Sequence, residues 1–287
     1  MPKNTPEYQY VTGQYRPGFV DLFEQFQLEN DRVLLERCWN LDVRYGLHPR
    51  QTFDLCFAKG PAKANLFYLH AGYWQSRDKA QFRFIASALT ARGYNVALLN
   101  YPLCPEVSID QIVATLGHGV LFTQAALPVT EQRLPLIVAG HSAGAHLAVE
   151  LALAQTALAQ QQRPISAIVP ISGIYNLEPL IETSLNTNLR LDRRQAQACS
   201  PLTRVAGDLV PAAFVVGGEE TPAFLDQNRA MMAAWALTGS PATCLEVAGR
   251  DHFTVLQAFE SPSGTLLELI ENIYQVLCPA IECVAIN

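Results

Sequence analysis

From residue 50 onward, short apolar runs rich in Val, Ile, Leu and Phe alternate with longer segments whose apolar positions recur at helical spacing. The runs at 53–57, 65–69, 95–100, 136–139, 167–171, 212–216 and 243–247 read as strands. Between them, the segments at 79–91, 109–126, 143–159, 222–237 and 264–277 read as helices. Strands and helices alternating in this way form βαβ units, and so a mostly parallel central sheet flanked by helices: an α/β fold. The strands are apolar almost throughout, as they must be when both faces of a sheet are covered. Residues 178–208 are more polar and interrupt the rhythm, which predicts a small cap-like insertion over the C-terminal edge of the sheet. Within residues 1–40, Phe19, Leu22, Phe23 and Phe26 fall at helical spacing. They predict an N-terminal helical arm that either packs on the core or lines the site. With no internal repeat and no low-complexity linker, the 287 residues read as one domain.

Composition narrows the function. A chain that is 49% hydrophobic and 16% charged has ample material for a buried core. Its net charge of −6 argues against nucleic acid, whose phosphates it would repel. The longest apolar stretch, 134–154, is broken by His141, Ser142, His146 and Glu150, which would be costly in lipid, so no membrane segment is expected. Met1-Pro2-Lys3-Asn4-Thr5-Pro6 lacks the basic and apolar regions of a secretory leader. The seven cysteines are scattered without a Cys-x-x-Cys pair, so neither a disulfide framework nor a zinc site is expected, and a reducing cytoplasm fits.

The chemistry begins where the strand at 136–139 runs into Gly140-His141-Ser142-Ala143-Gly144 and then an apolar helix. Alone, the Gly-x-Ser-x-Gly pattern is weak and can mark a tightly packed βα turn. Between a strand and a helix it matches the nucleophile elbow of the α/β-hydrolase fold, where a strained turn presents Ser142 to a base. Flanking glycines supply room that a Cβ would occupy. The helix N-terminus also places the N–H of Ala143 beside a reacting carbonyl, as one oxyanion donor. After the strand at 65–69 comes His70-Ala71-Gly72-Tyr73-Trp74, where this fold carries its oxyanion loop. The N–H of Gly72 or Tyr73 is the expected second donor, and His70 is expected to anchor the loop rather than carry protons.

Six histidines compete for the base. His48 lies in a polar turn and His118 in a helix, while His141 and His146 sit beside the nucleophile in sequence and point elsewhere. His252 follows the last strand, where this fold places its base, and completes the chain order Ser, acid, His. The acid should follow the strand at 212–216. Glu219 and Glu220 both fit by spacing, whereas Asp226 falls in a helix and Asp251 adjoins His252 itself. Either glutamate can hold the imidazole tautomer and stabilise the imidazolium.

Taken together, His70-Ala71-Gly72-Tyr73-Trp74-Gln75-Ser76, Gly140-His141-Ser142-Ala143-Gly144-Ala145-His146-Leu147 and Ser172-Gly173-Ile174-Tyr175-Asn176-Leu177-Glu178-Pro179 resemble the kynurenine formamidase (arylformamidase) family of α/β hydrolases. Val216-Gly217-Gly218-Glu219-Glu220-Thr221-Pro222-Ala223-Phe224 and Asp251-His252-Phe253 extend the likeness across roughly residues 65–255. In that family the acid directly precedes Ser/Thr-Pro-x-Phe, which selects Glu220. Ala71 departs from the usual glycine and bears on substrate identity more than on catalysis. The resemblance implies hydrolysis of an N-formyl aryl amide such as N-formylkynurenine, with no metal or organic cofactor. It also implies an aromatic pocket for which Trp74, Tyr101, Tyr175 and Phe224 are candidates. Two other readings use the same residues: a carboxylesterase for small acyl or aryl esters, and a ligand-binding protein on a hydrolase scaffold.

Overall fold

Successive residues of the central strands belong to opposite sides of one sheet. Phe67 and Leu69 join one apolar core while Leu66 and Tyr68 join the other, as the two-residue period of a strand requires. The computed structural model describes residues 2–11, 17–259 and 264–279. Among these, eight strands form the sheet: β1 (Trp39–Arg44), β2 (Thr52–Cys56), β3 (Ala64–Leu69), β4 (Tyr94–Leu99), β5 (Leu136–His141), β6 (Ala167–Ile171), β7 (Ala212–Gly217) and β8 (Ala242–Val247). Their spatial order is β1-β2-β4-β3-β5-β6-β7-β8. β2 pairs antiparallel with both β1 and β4, and the remaining pairs are parallel.

The helices are α1 (Pro6–Val11), α2 (Phe19–Glu36), α3 (Ala86–Ala91), α4 (Ile109–Ala125), α5 (Ala143–Ala154), α6 (Asn186–Leu189), α7 (Arg193–Ala198), α8 (Pro222–Leu237) and α9 (Thr265–Leu277). Side chains of α4, α5 and α8 fill one core, and those of α2, α3 and α9 the other. The fold is therefore a three-layer α/β hydrolase. From β3 the chain crosses to β4 on one side, and only later to β5 on the other, so a crevice opens at the C-terminal ends of β3 and β5. The oxyanion-loop segment and Ser142 both emerge there.

All seven expected strands are present within a residue or two of their expected ends. β1 was not expected. It is an edge strand with a bulge between Asn40 and Val43 and little burial, so it carries almost no apolar alternation. It also begins inside the stretch assigned to the N-terminal arm, whose long helix ends at Glu36. That helix buries Leu22 and Phe26 on the core, while Phe23 lines the site. The segment expected as one helix over 79–91 starts instead as a 3-10 helix, Lys79–Ile85, before α3. Two of its N–H groups are taken from outside: Lys79 donates to Asn100 Oδ1 at 2.8 Å and Phe84 to Asn30 Oδ1 at 2.8 Å. The helix expected over 143–159 stops at Ala154 and unwinds into two 3-10 turns through a glutamine-rich stretch. Residues 178–208 form α6, α7 and two 3-10 turns, with Leu180, Leu185, Leu189 and Leu191 buried in the core. Among the described residues no helix is long and apolar enough to cross a membrane.

The antiparallel edge is fastened by a buried charge cluster. Asp54 on β2 is fully buried and pairs with Lys79 Nζ at 2.8 Å and Arg83 Nη2 at 2.7 Å. Lys79, only 2% exposed, also reaches Asp42 at 2.6 Å. Removing one partner of a buried pair strands the other charges. Asp54→Ala should therefore lower folding stability by about 3–5 kcal/mol, read as a fall in the urea midpoint with little change in slope.

Candidate active site

β5 ends in a turn that only a tight backbone approach allows. A Cβ on Gly140 would sit 2.2 Å from the carbonyl oxygen of Gly144, and one on Gly144 would sit 2.0 Å from that of Leu69 on β3. The two glycines thus let α5 start directly against the sheet. Ser142 is held at φ 57, ψ −117, a strained conformation for a residue with a side chain, and its N–H is fixed to Ile171 O at 2.8 Å. It is 1% exposed and lines a small cavity together with His252. As the first residue of α5, Ala143 has an N–H with no intrahelical acceptor.

The oxyanion-loop segment follows β3. Gly72 lies at φ 129, and an added Cβ would meet Ser76 O at 2.2 Å. Its carbonyl accepts from the N–H groups of Gln75 and Ser76, both at 3.0 Å, while its own N–H meets no protein acceptor among the described residues. Tyr73 and Trp74 continue with φ 51 and 61, so the loop winds through the left-handed region. Below it, His70 is fully buried, donates from Nδ1 to Ala71 O at 2.7 Å and stacks on Tyr101 with centroids 4.3 Å apart. Burial, the largest influence, lowers its pKa to about 4, so it is neutral at physiological pH. It anchors the loop, as its place in the sequence suggests.

His252 sits on the loop after β8. Its Nδ1 lies 2.7 Å from Glu220 Oε2, and because a carboxylate only accepts, Nδ1 carries the proton and Nε2 is left as a lone-pair base. The other carboxylate oxygen accepts from Gly217 N at 2.8 Å and from the Ser172 hydroxyl at 2.5 Å. Glu219, by contrast, is exposed, and its N–H donates to Arg250 O at 2.8 Å, clasping the acid-bearing and base-bearing loops together. Asp226 is exposed on α8, and Asp251 accepts from the N–H groups of Phe253 and Thr254. Of the four acids the sequence offers, only Glu220 is hydrogen-bonded to the imidazole of His252.

Ser172, His141, Phe253 and Arg77 were not assigned to the site from sequence, and Phe23 entered only as part of an arm that either packs on the core or lines the site. Ser172 has a legible signal, a small polar residue ending a fully buried strand beside the nucleophile strand. His141 points away from Ser142, but its Nε2–H donates to His252 O at 2.6 Å and so fixes the base's backbone. Burial, then the neighbouring His252, holds its pKa well below the ordinary histidine value. Phe253 reaches the cavity from the motif that carries the base, Arg77 from just past the oxyanion-loop motif, and Phe23 from α2, which has no motif.

All four aromatic assignments need correction. Trp74, Tyr101 and Tyr175 are fully buried and line none of this cavity. Trp74 turns inward to donate to His146 Nδ1 at 3.3 Å, and Tyr101 donates its hydroxyl to His70 O at 2.7 Å. They are structural, because the left-handed turn at Gly72 and Tyr73 directs Trp74 into the core. Phe224 is also outside the cavity wall, but its ring lies 4.5 Å from that of His252 and supports it from behind. The cavity measures about 20 Å³ and is walled by Ala71, Gly72, Tyr73 and Phe82 besides Ser142 and His252. It adjoins a groove of about 330 Å³, with which it shares Phe23 and Arg77. Among the described residues no group of three or more His, Cys, Asp or Glu side chains is gathered as for a metal ion.

A strained serine between a parallel strand and a helix, beside a carboxylate-linked imidazole, defines the class as a serine hydrolase. A profile of the α/β-hydrolase fold matches residues 66–256, and the chain belongs to that family. Within it, the chain is 30% identical over 242 residues to a kynurenine formamidase of Drosophila melanogaster, covering 80% of each chain. Among solved structures it is similar to a Silicibacter sp. protein provisionally assigned as a thioesterase. There the identity is 30%, the TM-score 0.81, and the match covers 92% of this chain and 97% of that one. Esterase B of Lactobacillus rhamnosis shares the fold at 17% identity, with a TM-score of 0.71 over 91% of this chain and 97% of its own.

Two outcomes follow from the hydrogen bonding. Ser172→Ala removes one of the bonds to Glu220, and we expect kcat to fall about tenfold with KM nearly unchanged, measured by steady-state kinetics. His70 binds a proton in the unfolded chain from about pH 6.5 downward, but in the folded protein only near pH 4. Its contribution is whole above pH 6.5 and is lost as pH falls toward 4, a loss of about 3 kcal/mol. Denaturant titrations across that window should show the slope, and His70→Gln should flatten it.

Proposed function

We propose that the chain is a cytoplasmic formamidase that hydrolyses an N-formyl aryl amide through Ser142, His252 and Glu220. Ser142 attacks the formyl carbonyl while His252 Nε2 takes its proton. The N–H groups of Ala143 and of Gly72 or Tyr73 receive the negative charge that develops on oxygen. His252 then returns its proton to the departing aryl nitrogen, releasing the aromatic amine. Water, activated by the same imidazole, attacks the formyl ester, and formate leaves. Glu220 keeps the imidazole in the tautomer that makes Nε2 basic and stabilises the imidazolium between the steps.

The observation that carries this reading is the size of the cavity at Ser142. About 20 Å³ holds roughly one water-sized group, which suits a formyl hydrogen and oxygen but leaves little room for a longer acyl chain. The Ala71 methyl contributes to that wall, so the departure from glycine favours a small acyl group. The adjoining groove, with Phe19 and Phe23, supplies space on the leaving-group side. The likeness to a protein named kynurenine formamidase supports the same reading. In a second reading, hydrolysis of small aryl esters, the same residues would act on an easier leaving group.

Paired kinetics on N-formylkynurenine and a short-chain aryl ester separate the two. We expect a higher kcat/KM on the formamide, and a loss on the order of 10⁶-fold in kcat for Ser142→Ala. Ester turnover with negligible formate release would overturn the formamidase reading while leaving the serine mechanism in place.

A further inference from the structure

Among the described residues, Arg77 is the one cation that lines both the cavity at Ser142 and the groove beside it. It is half-buried, and among the described residues no carboxylate pairs with its guanidinium. Glu24, the only acid lining the groove, forms no ion pair with it. The guanidinium lies 4.2 Å from the ring centre of Phe23 and 5.5 Å from that of Phe19. Arginine packed on aromatic faces keeps its N–H edge available, and that edge matches a carboxylate in two parallel hydrogen bonds. The backbone beneath it is equally constrained. Arg77 has φ 73, a left-handed conformation costly for a long side chain, and its carbonyl is held by Arg50 Nη2 at 2.7 Å. A half-buried cation with no carboxylate partner, lining the cavity of a reacting serine, suits an anion that arrives with the substrate.

We infer that Arg77 is a specificity-determining residue that holds a carboxylate on the leaving-group half of the substrate. N-formylkynurenine, whose aromatic portion carries an acid side chain, already meets this requirement, and what Arg77 adds is the group that selects for it. Phe19 and Phe23 flank the aromatic portion while Arg77 fixes its far end. Burial lowers the pKa of Arg77, as expected for a cation missing its counter-charge. The inference rests on hydrolysis at Ser142 but not on the formamide being the substrate.

The test uses two matched pairs. One is N-formylkynurenine and its carboxamide; the other is an ortho-acylphenyl acetate bearing a chain-terminal carboxylate and its carboxamide. In each pair that is turned over, we expect the carboxylate to be preferred about 10–100-fold in kcat/KM, chiefly through KM. Arg77→Gln should collapse that ratio toward one, and Arg77→Lys should retain part of it. Equal kcat/KM within the pairs for the unaltered protein, or an Arg77→Gln loss that strikes both members alike, would overturn the assignment. Inert formamides with a preserved ratio in the ester pair would sink the formamidase reading and leave Arg77 standing. Formamide cleavage without a ratio would do the reverse.

Discussion

The contact on which the site depends is the approach of α5 to β3 through Gly144. With a Cβ there, the helix would collide with the Leu69 carbonyl 2.0 Å away and could not start against the sheet. Because it does start there, one short stretch of backbone sets three things at once. It bends Ser142 into its strained presentation, leaves the Ala143 N–H free at the helix terminus, and brings both within reach of the loop leaving β3. The strain at Ser142, on the order of 1–3 kcal/mol, is sustained because the strand behind it is fully buried and the helix ahead is buried from Ala143 to Leu153.

Around that contact, three histidines divide the work. His70 and His141 are buried and held neutral, and each donates to a backbone carbonyl: Ala71 in the oxyanion-loop segment and His252 in the base loop. Of these three, only His252 is joined to a carboxylate. The neutral pair fixes backbone, so the imidazole beside the acid can change its charge while the loops around it stay in place.

Much of this was legible in the sequence, for physical reasons that differ by element. The parallel strands were readable because burial on both faces leaves them apolar throughout. The nucleophile was readable because its geometry demands glycine at two fixed positions. Glu220 was not separable from Glu219 by spacing, since only the turn at Gly217 and Gly218 decides which side chain faces inward; the family resemblance made that choice. The aromatic lining was misread at Trp74, Tyr101 and Tyr175 because a large ring beside a motif looks the same in sequence whether it points to solvent or to core. Arg77 went unread, and the arm bearing Phe23 was left between core and site, for the opposite reason: the two come together only in space, from a loop and a helix some fifty residues apart.

The N-terminal helix α1 has a place in this frame that its length disguises. The carbonyl of Gln9 accepts from Thr221 beside the acid, its side chain accepts from Ala223 N, and the carbonyl of Tyr10 accepts from the Tyr73 hydroxyl in the oxyanion-loop segment. A six-residue helix therefore spans the two walls of the crevice like a staple. Trimming the chain back to its first strand would keep every strand of the sheet, yet it would unfasten the rim on which the chemistry is mounted. For anyone engineering this enzyme, α1 is a working part, and a change at Gln9 or Tyr10 reaches both walls of the crevice at once.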